Sequence, residues 1–237
     1  MKEDILFFDI FTPEVFRSFL FLNPPEIKYY SEKYYISGGF TMRDQKLNKL
    51  VKISILSAAA FLLMFFIEIP LPIFPEFLKL DISDLPAILG AFALGPAAGI
   101  YIEALKNIFH AIAKPGTMGI GELANFVVGG AFVFTVGIIY NLKKDRTHAL
   151  YGLAAGIIVM VIVAAIGNYF VFLPLYEKVL GFQVNAVIGM AAKVNPSIKD
   201  LNSLILLSIV PFNLLKGIIV ALIAFLSYKS MSPILHK

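Results

Sequence analysis

Five long apolar stretches, separated by short polar segments, set the pattern of this chain. They are Leu50–Ile69, Leu85–Ala113, Ile120–Leu142, Ala149–Tyr176 and Leu204–Tyr228. Each is long enough for a helix to cross the hydrocarbon core of a bilayer, which takes roughly 20 residues. Gly95-Pro96 interrupts the second stretch, and proline breaks or kinks a helix. The pattern therefore predicts six helices, two of them short.

Composition agrees with a membrane protein. The chain is 59% hydrophobic and only 15% charged, which is too apolar for an ordinary soluble domain. The expected fold class is thus an all-α integral membrane protein with six transmembrane helices. The absence of cysteine gives no argument about thiol chemistry. The net charge of +4 is explained by loop lysines and gives no sign of a nucleic-acid partner.

Residues 1–41 differ from the rest of the chain. They are rich in charged and aromatic residues, and they contain Pro24-Pro25 and Gly38-Gly39. They lack the basic start followed by an apolar core that marks a signal peptide. The expected organisation is a leader of uncertain origin at 1–41, with no assigned function, and a membrane-embedded domain at 42–237.

The distribution of basic residues predicts the orientation. With six spans both termini share one side, and cytoplasmic loops are enriched in lysine and arginine. The side of the termini carries Arg43, Lys46, Lys49, Lys52, Lys143, Lys144, Arg146, Lys229 and Lys237, whereas the other side carries Lys79, Lys114, Lys178, Lys193 and Lys199. Both termini are therefore expected in the cytoplasm.

Lys216 is the most informative polar residue, because Leu201–Tyr228 holds no other charged residue. A cation at bilayer depth is costly and commonly marks a functional site. Asn213 precedes it by three positions and shares its helical face. With a rise of about 1.5 Å per residue, Asn168 and Asn213 fall at roughly 12 and 14 Å from the outer helix ends. Together with Glu122, Asn125, Asn107 and His110, these residues predict a polar cavity in the outer half of the bundle.

One helix face carries Glu103, Lys106, Asn107 and His110. Residues three or four apart are neighbours on a helix, so an internal ion pair between Glu103 and Lys106 is favoured over a ligand site. His110 is interpreted as a satisfied interfacial side chain rather than as a metal ligand.

The inner half of the first helix is rich in small residues, including Ser54, Ser57 and Ala58. Small residues four apart let helices approach closely, which serves either internal packing or docking on another membrane protein. The Pro-rich segment 70–81 predicts a lid over the cavity, and 114–119 a tight outer turn. A polar cavity above a base of small residues predicts a binding subunit that docks on a partner.

Two other classes of protein were compared with a binding subunit. An intramembrane enzyme would use Lys216 and Glu122 as acid and base, but the chain has no P-loop, H-E-x-x-H or G-x-S-x-G motif. A stand-alone secondary transporter typically shows inverted repeats, and no internal repeat is visible. The protein is therefore expected not to be an enzyme.

Several ordered motifs resemble one family. They are Phe77–Ala87, Gly90–Pro96 leading into Glu103-x-x-Lys106-Asn107, Gly119–Phe126 and Asn213–Gly217. Together they resemble the riboflavin-specific S components of energy-coupling factor (ECF) transporters, over about Lys46 to Lys229. The resemblance implies a six-helix, multi-pass subunit in a prokaryotic cell membrane that captures riboflavin outside and needs no cofactor. It also implies a transmembrane coupling protein and two cytoplasmic ATPases as partners.

Residue roles are implied by the same resemblance. Asn168, Asn213 and Lys216 match the polar residues that the family uses on the isoalloxazine edge. Leu78, Lys79, Leu80 and Asp81 on the lid, with Gly116 and Thr117 on the turn, would cover the ring or meet the ribityl hydroxyls, and Glu122 and Asn125 complete the candidates. The family's Ala-x-x-x-Ala docking signature is matched most nearly by Ser54-x-x-x-Ala58, beside Ser57.

An S component for another vitamin, such as thiamin or pantothenate, remains an alternative because the scaffold is shared. Thiamin is a cation and would prefer carboxylates and aromatic faces, so Lys216 argues against it.

Overall fold

The structure, a computed structural model, describes the backbone of residues 42–235 and the side chains of residues 46–228. The expected leader at 1–41 lies outside the described residues. The helices are α1 (Met42–Phe66), α2 (Asp84–Leu94), α3 (Pro96–Ala113), α4 (Ile120–Leu142), α5 (Arg146–Gly167), α6 (Leu173–Leu180), α7 (Val184–Val194), α8 (Leu201–Leu204) and α9 (Val210–Leu235). A two-stranded antiparallel hairpin, β1 (Ile69–Pro70) and β2 (Lys79–Leu80), joins α1 to α2.

The all-α membrane prediction is confirmed. Within residues 42–235, four helical runs are long and apolar enough to cross a membrane: Lys46–Phe66, Ile120–Leu142, Arg146–Leu180 and Leu201–Tyr228. The predicted break at Gly95-Pro96 is also confirmed. Gly95 has φ 97°, which favours glycine, and it ends α2, while Pro96 is the first residue of α3.

Internal contacts divide the chain into two compact units. Of the first, Met1–Lys52 with Leu226–Lys237, the structure describes the beginning of α1 and the end of α9. The second, Ile53–Phe225, contains the hairpin and the remaining helices. All contacts described below lie within this second unit.

Helix α4 packs against α2, α3 and α5. Its contact with α5 is close because Gly152 presents no side chain there. A Cβ at Gly152 would lie 2.9 Å from the carbonyl oxygen of Val136, a distance that real Cβ atoms do not adopt. Small residues thus serve internal packing at this interface.

Two of the spanning runs contain a π-helical segment of five residues. The first π segment, Asn168–Phe172, joins α5 to α6, and the second π segment, Ile205–Ile209, joins α8 to α9. The two segments contact each other. Each is followed two residues later by a proline, Pro174 or Pro211, which has no N–H to donate and clashes with the carbonyl four residues before it. The α-helical ladder therefore widens to an i to i+5 pattern, with the N–H of Val210 bonded to Ile205 O.

The segment expected to form a lid is the hairpin. Its Phe74 is buried and packs edge-to-face on Phe212 of α9, with ring centroids 5.3 Å apart. An edge-to-face aromatic pair stabilises the loop by more free energy than the burial of its surface area alone would give. The hairpin is consequently fixed on α9 next to Asn213.

Candidate functional site

Five buried ionisable side chains form the feature that we call the charge cluster: Asp81, Asp84, Glu103, Lys106 and Lys216. Asp81 follows β2, Asp84 opens α2, Glu103 and Lys106 lie on α3, and Lys216 lies on α9. Their exposed fractions are 0% for Asp84, Glu103 and Lys106, 4% for Lys216 and 5% for Asp81. Buried charges of this kind require close partners.

Lys216 has such partners, although its own helix supplies none. Its Nζ donates to Asp81 Oδ2 at 2.8 Å and lies 3.4 Å from Asp84 Oδ2. Lys216 has no other charged residue in its own stretch, but it is paired by carboxylates from elsewhere in the chain. Its counter-ion comes from a residue 135 positions earlier in the chain.

Lys106 forms the other half of the charge cluster. Its Nζ lies 2.6 Å from Asp84 Oδ1 and 2.7 Å from Glu103 Oε2. The predicted ion pair between Glu103 and Lys106 is confirmed. Asp84 bridges the two lysines with its two oxygens, so α2, α3 and α9 are linked through one carboxylate.

A glycine on α4 gives the carboxylates room. A Cβ at Gly129 would lie 3.0 Å from Glu103 Oε2 and 3.2 Å from Asp84 Oδ1. Because Gly129 has no side chain, both acidic groups reach the backbone of α4. The backbone of α4 at Gly129 therefore closes this side of the charge cluster.

Local hydrogen bonds fix the Asp81 carboxylate. Its Oδ1 accepts from the backbone N–H of Ser83 at 2.9 Å and from the Ser83 hydroxyl. Its Oδ2 accepts from Lys216. Both oxygens are thus bonded to protein groups, and charge-assisted bonds such as the one to Lys216 are the strong ones.

The two asparagines of the predicted site are both tied to the π segments. Asn168 opens the first π segment and donates its Nδ2 to Ala164 O at 2.9 Å. Asn213 donates its Nδ2 to Ile209 O, the last residue of the second π segment, at 2.8 Å. Each bond uses one N–H, whereas an amide also offers a second N–H and a carbonyl acceptor. The π segments contact each other, and Asn213 follows the second segment by four residues.

A second group of polar residues, which we call the outer cluster, contains Glu68, His110, Lys114, Thr117 and Glu122. Glu122 contacts His110 Nδ1 at 3.0 Å and accepts from the Thr117 hydroxyl at 2.7 Å. Glu68 accepts from Lys114 at 3.2 Å and lies 3.2 Å from His110 Nε2, without hydrogen-bond alignment to the latter. The expectation of a satisfied interfacial His110 is confirmed at Nδ1.

The remaining predicted ligand residues are exposed or half-buried. Lys79 is exposed and pairs with Glu68 at 3.1 Å, while Leu78 and Leu80 are half-buried. Gly116 lies exposed in the short 3-10 turn that precedes α4. Asn125 is half-buried and donates weakly to Met64 Sδ at 3.6 Å.

The three residues predicted to dock on a partner divide between two faces of α1. Ser54 and Ala58, one turn apart, are exposed. Ser57 is fully buried, and its hydroxyl donates to Ile53 O at 2.7 Å. Of the three, Ser54 and Ala58 therefore lie on an outward surface.

Sequence reasoning missed Asp84 and the pairing role of Asp81. A signal was present: Asp81 and Asp84 stand three residues apart at the start of an apolar helix. A buried lysine needs a counter-ion, but the sequence offers several acidic residues and does not say which of them lies beside Lys216.

Comparisons with known proteins agree on one family. The family model for "ECF transporter, substrate-specific component" matches residues 48–228. The riboflavin transporter RibU of Staphylococcus aureus (strain TCH60) is 36% identical over 85% of this chain and 100% of its own length. The riboflavin transporter FmnP of Bacillus subtilis (strain 168) is 32% identical over 79% of this chain and 94% of its own.

A solved structure gives the same answer. It is described as "Structure and mechanism of the S component of a bacterial ECF transporter", and it is 35% identical in sequence. The match has a TM-score of 0.63 and covers 81% of this chain and 99% of the other. The chain therefore belongs to the substrate-specific components of ECF transporters.

Proposed function

We propose that this chain is the riboflavin-binding S component of an ECF-type vitamin importer in a prokaryotic cell membrane, with both termini in the cytoplasm. The observation that carries the proposal is the run Phe212-Asn213-x-x-Lys216 on α9. Phe212 holds the hairpin, and Lys216 is buried among carboxylates. The identity of the proposed ligand comes from the relatives that are named riboflavin transporters.

The side chains suit the chemistry of a flavin. The isoalloxazine edge offers carbonyl oxygens, ring nitrogens and one N–H. Asn168 and Asn213 can donate and accept, and Lys216 can donate. The apolar faces of the ring would meet Leu78 and Leu80 of the hairpin.

The outer cluster suits the ribityl chain. Thr117 and Glu122 are joined by a hydrogen bond, and Lys79 is exposed on the hairpin. Hydroxyls can donate to a carboxylate and accept from an ammonium. Gly116 and Asn125 complete the proposed contacts, and Asp81 contributes through Lys216.

Transport requires partners that we propose from the family. A transmembrane coupling protein would dock on the exposed face of α1 that carries Ser54 and Ala58. Two cytoplasmic ATPases would supply the energy, because the chain has no P-loop.

Flavin fluorescence tests the proposed ligand directly. Since the chain contains no tryptophan, riboflavin added to the detergent-purified protein can be titrated without interference from indole. We expect saturable, tight binding without ATP, and a yellow protein when it is purified from cells. Binding of thiamin or pantothenate, with none of riboflavin, would reject the assignment.

A further inference from the structure

The charge cluster is acidic in its formal balance. It contains three carboxylates, on Asp81, Asp84 and Glu103, and two ammonium groups, on Lys106 and Lys216. Lys106 is engaged by two of the carboxylates, at 2.6 and 2.7 Å. Lys216 is therefore a cation whose charge is already balanced within the protein.

The geometry leaves Lys216 with N–H groups free for donation. An ammonium group has three N–H donors. One is bonded to Asp81 Oδ2 at 2.8 Å, whereas Asp84 Oδ2 lies 3.4 Å away without hydrogen-bond alignment. Lysine has a flexible stem, so the bond to Asp81 decides where the remaining N–H groups point.

Asp81 is suited to this task because its own position is fixed. The backbone N–H and the hydroxyl of Ser83 hold its other oxygen, and Phe74 anchors the preceding hairpin on Phe212. The carboxylate is consequently placed by the hairpin and by the entry to α2 at once. Movement of either would change the direction of the Lys216 ammonium.

We propose that Asp81 is a positioning residue for ligand binding, which orients Lys216 and balances its charge so that a remaining N–H serves an uncharged acceptor such as a ring carbonyl. The inference rests on the proposed function. It gives Asp81 an indirect role in place of the direct ligand contact expected from the sequence. It also names a ligand class: a neutral heterocycle, in preference to an anion, which would meet the carboxylates of Asp81 and Asp84.

The charge balance has a spectroscopic consequence. The ring N–H of riboflavin ionises in alkaline solution, and its visible absorbance changes. A nearby uncompensated cation favours the ionised form of a titrating group. In wild-type protein Asp81 cancels much of this effect, whereas in Asp81→Asn the bound flavin should lose its proton at a lower pH.

The experiment compares four full-length proteins: wild type, Asp81→Asn, Asp81→Glu and Glu76→Gln. Glu76 is an exposed acid of the same hairpin and controls for the loss of one negative charge. Riboflavin affinity is measured by fluorescence titration, and the ionisation of bound riboflavin by absorbance as the pH is raised. We expect Asp81→Asn to raise Kd by roughly tenfold or more, as for loss of a bond to a charged group. The pH midpoint of the bound flavin should fall in that variant and stay unchanged in Glu76→Gln.

Asp81→Glu retains the charge but displaces the carboxylate by one methylene. Its expected Kd lies between those of wild type and Asp81→Asn, with the wild-type pH midpoint. If Asp81→Asn does not fold, this variant decides, and an unchanged Kd would reject the positioning role.

The other outcomes separate the two proposals. If wild-type protein does not bind riboflavin, the proposed function fails and the role of Asp81 fails with it. If wild type binds and Asp81→Asn binds equally well, only the positioning role is rejected. A higher Kd of Asp81→Asn with an unchanged pH midpoint of the bound flavin would show a merely structural role and would overturn the proposed charge balance.

Discussion

Lys106 pairs with two buried carboxylates at once, so its replacement removes two ion pairs of the charge cluster. It bonds Asp84 and Glu103 at 2.6 and 2.7 Å, and all three side chains are inaccessible to solvent. Removal of one partner from a buried ion pair leaves an uncompensated charge, which costs far more than the pair contributes. The effect of a substitution here depends on how many charges remain unbalanced.

Lys106→Met should therefore destabilise the protein by about 3–5 kcal/mol, the usual cost of breaking a buried pair. Glu103→Gln should cost less, because it leaves two carboxylates for two lysines and keeps an oxygen for Lys106. Thermal unfolding of the riboflavin-free protein in detergent, followed by circular dichroism, measures both. Equal decreases in stability in the two variants would contradict the argument that the loss depends on the number of unbalanced charges.

At the scale of single residues the sequence singled out Lys216 but not its surroundings. Lys216 is recognisable because it is the only charged residue in 28 apolar positions, and Glu103 with Lys106 because they are three residues apart. Asp81 could not be assigned to Lys216, because spacing along one helix says nothing about a partner 135 residues away.

Among the elements, the two π segments place the asparagines of the proposed site. Each precedes a proline at the same offset, Pro174 after Asn168–Phe172 and Pro211 after Ile205–Ile209. A π segment accommodates one extra residue, and each residue of an α-helix turns the chain by about 100°. The segment before Pro211 thus sets the direction in which Asn213 and Lys216 point.

Pro211→Ala should allow the second π segment to close into a regular α-helix. Asn213 and Lys216 would then rotate relative to Asp81, and riboflavin affinity should fall by roughly tenfold or more, as when a buried polar group loses its partner. Fluorescence titration measures the affinity, and circular dichroism checks that the helical content is kept. Pro72→Ala, on the exposed part of the hairpin, is the matched control and should bind as wild type does. Wild-type affinity in Pro211→Ala would show that the π segment does not depend on this proline.

Hydropathy predicts helices better than it predicts their irregularities. The break at Gly95-Pro96 was predicted correctly because both residues interrupt an α-helix. The π segments were not predicted, because one inserted residue does not alter the hydropathy of an apolar run of 28 or 35 residues. Pro174 and Pro211 inside such runs were the available signal. Helix α7 was missed because its 11 residues are too few to cross a bilayer.

Helix α1 has one face that is buried and one that is exposed. Ser57 and Ala60 are fully buried, whereas Ser54, Ala58 and Leu62 lie exposed at intervals of four residues. Residues at this spacing form one stripe along a helix. Two small side chains in the stripe would allow the close approach that we propose for the coupling protein.

Ala58→Trp should therefore prevent assembly with the coupling protein and its ATPases while it leaves riboflavin affinity unchanged. Pull-down of the complex and flavin titration of the same purified variant give the two readings. Ile158→Trp places the same bulk on the exposed surface of α5, where 61% of Ile158 is accessible, and should affect neither reading. Intact assembly with Ala58→Trp would remove this face from consideration as the docking surface.

The fold class followed from apolar run length alone, since a bilayer admits few alternatives to helices. The burial of Ser57 did not follow, because small residues serve packing inside a bundle and docking outside it equally well.

The long sequence separation between Asp81 and Lys216 also orders events during synthesis. The Glu103–Lys106 pair forms within a single helix as soon as α3 leaves the ribosome. Asp81 has to wait until 135 further residues have been made, which takes on the order of 10 s at ordinary translation rates. A nascent chain that ends before α9 therefore has a hairpin without its anchor, since both Phe212 and Lys216 are still missing. The contact between the hairpin and α9 can therefore form only after Phe212 and Lys216 have been made.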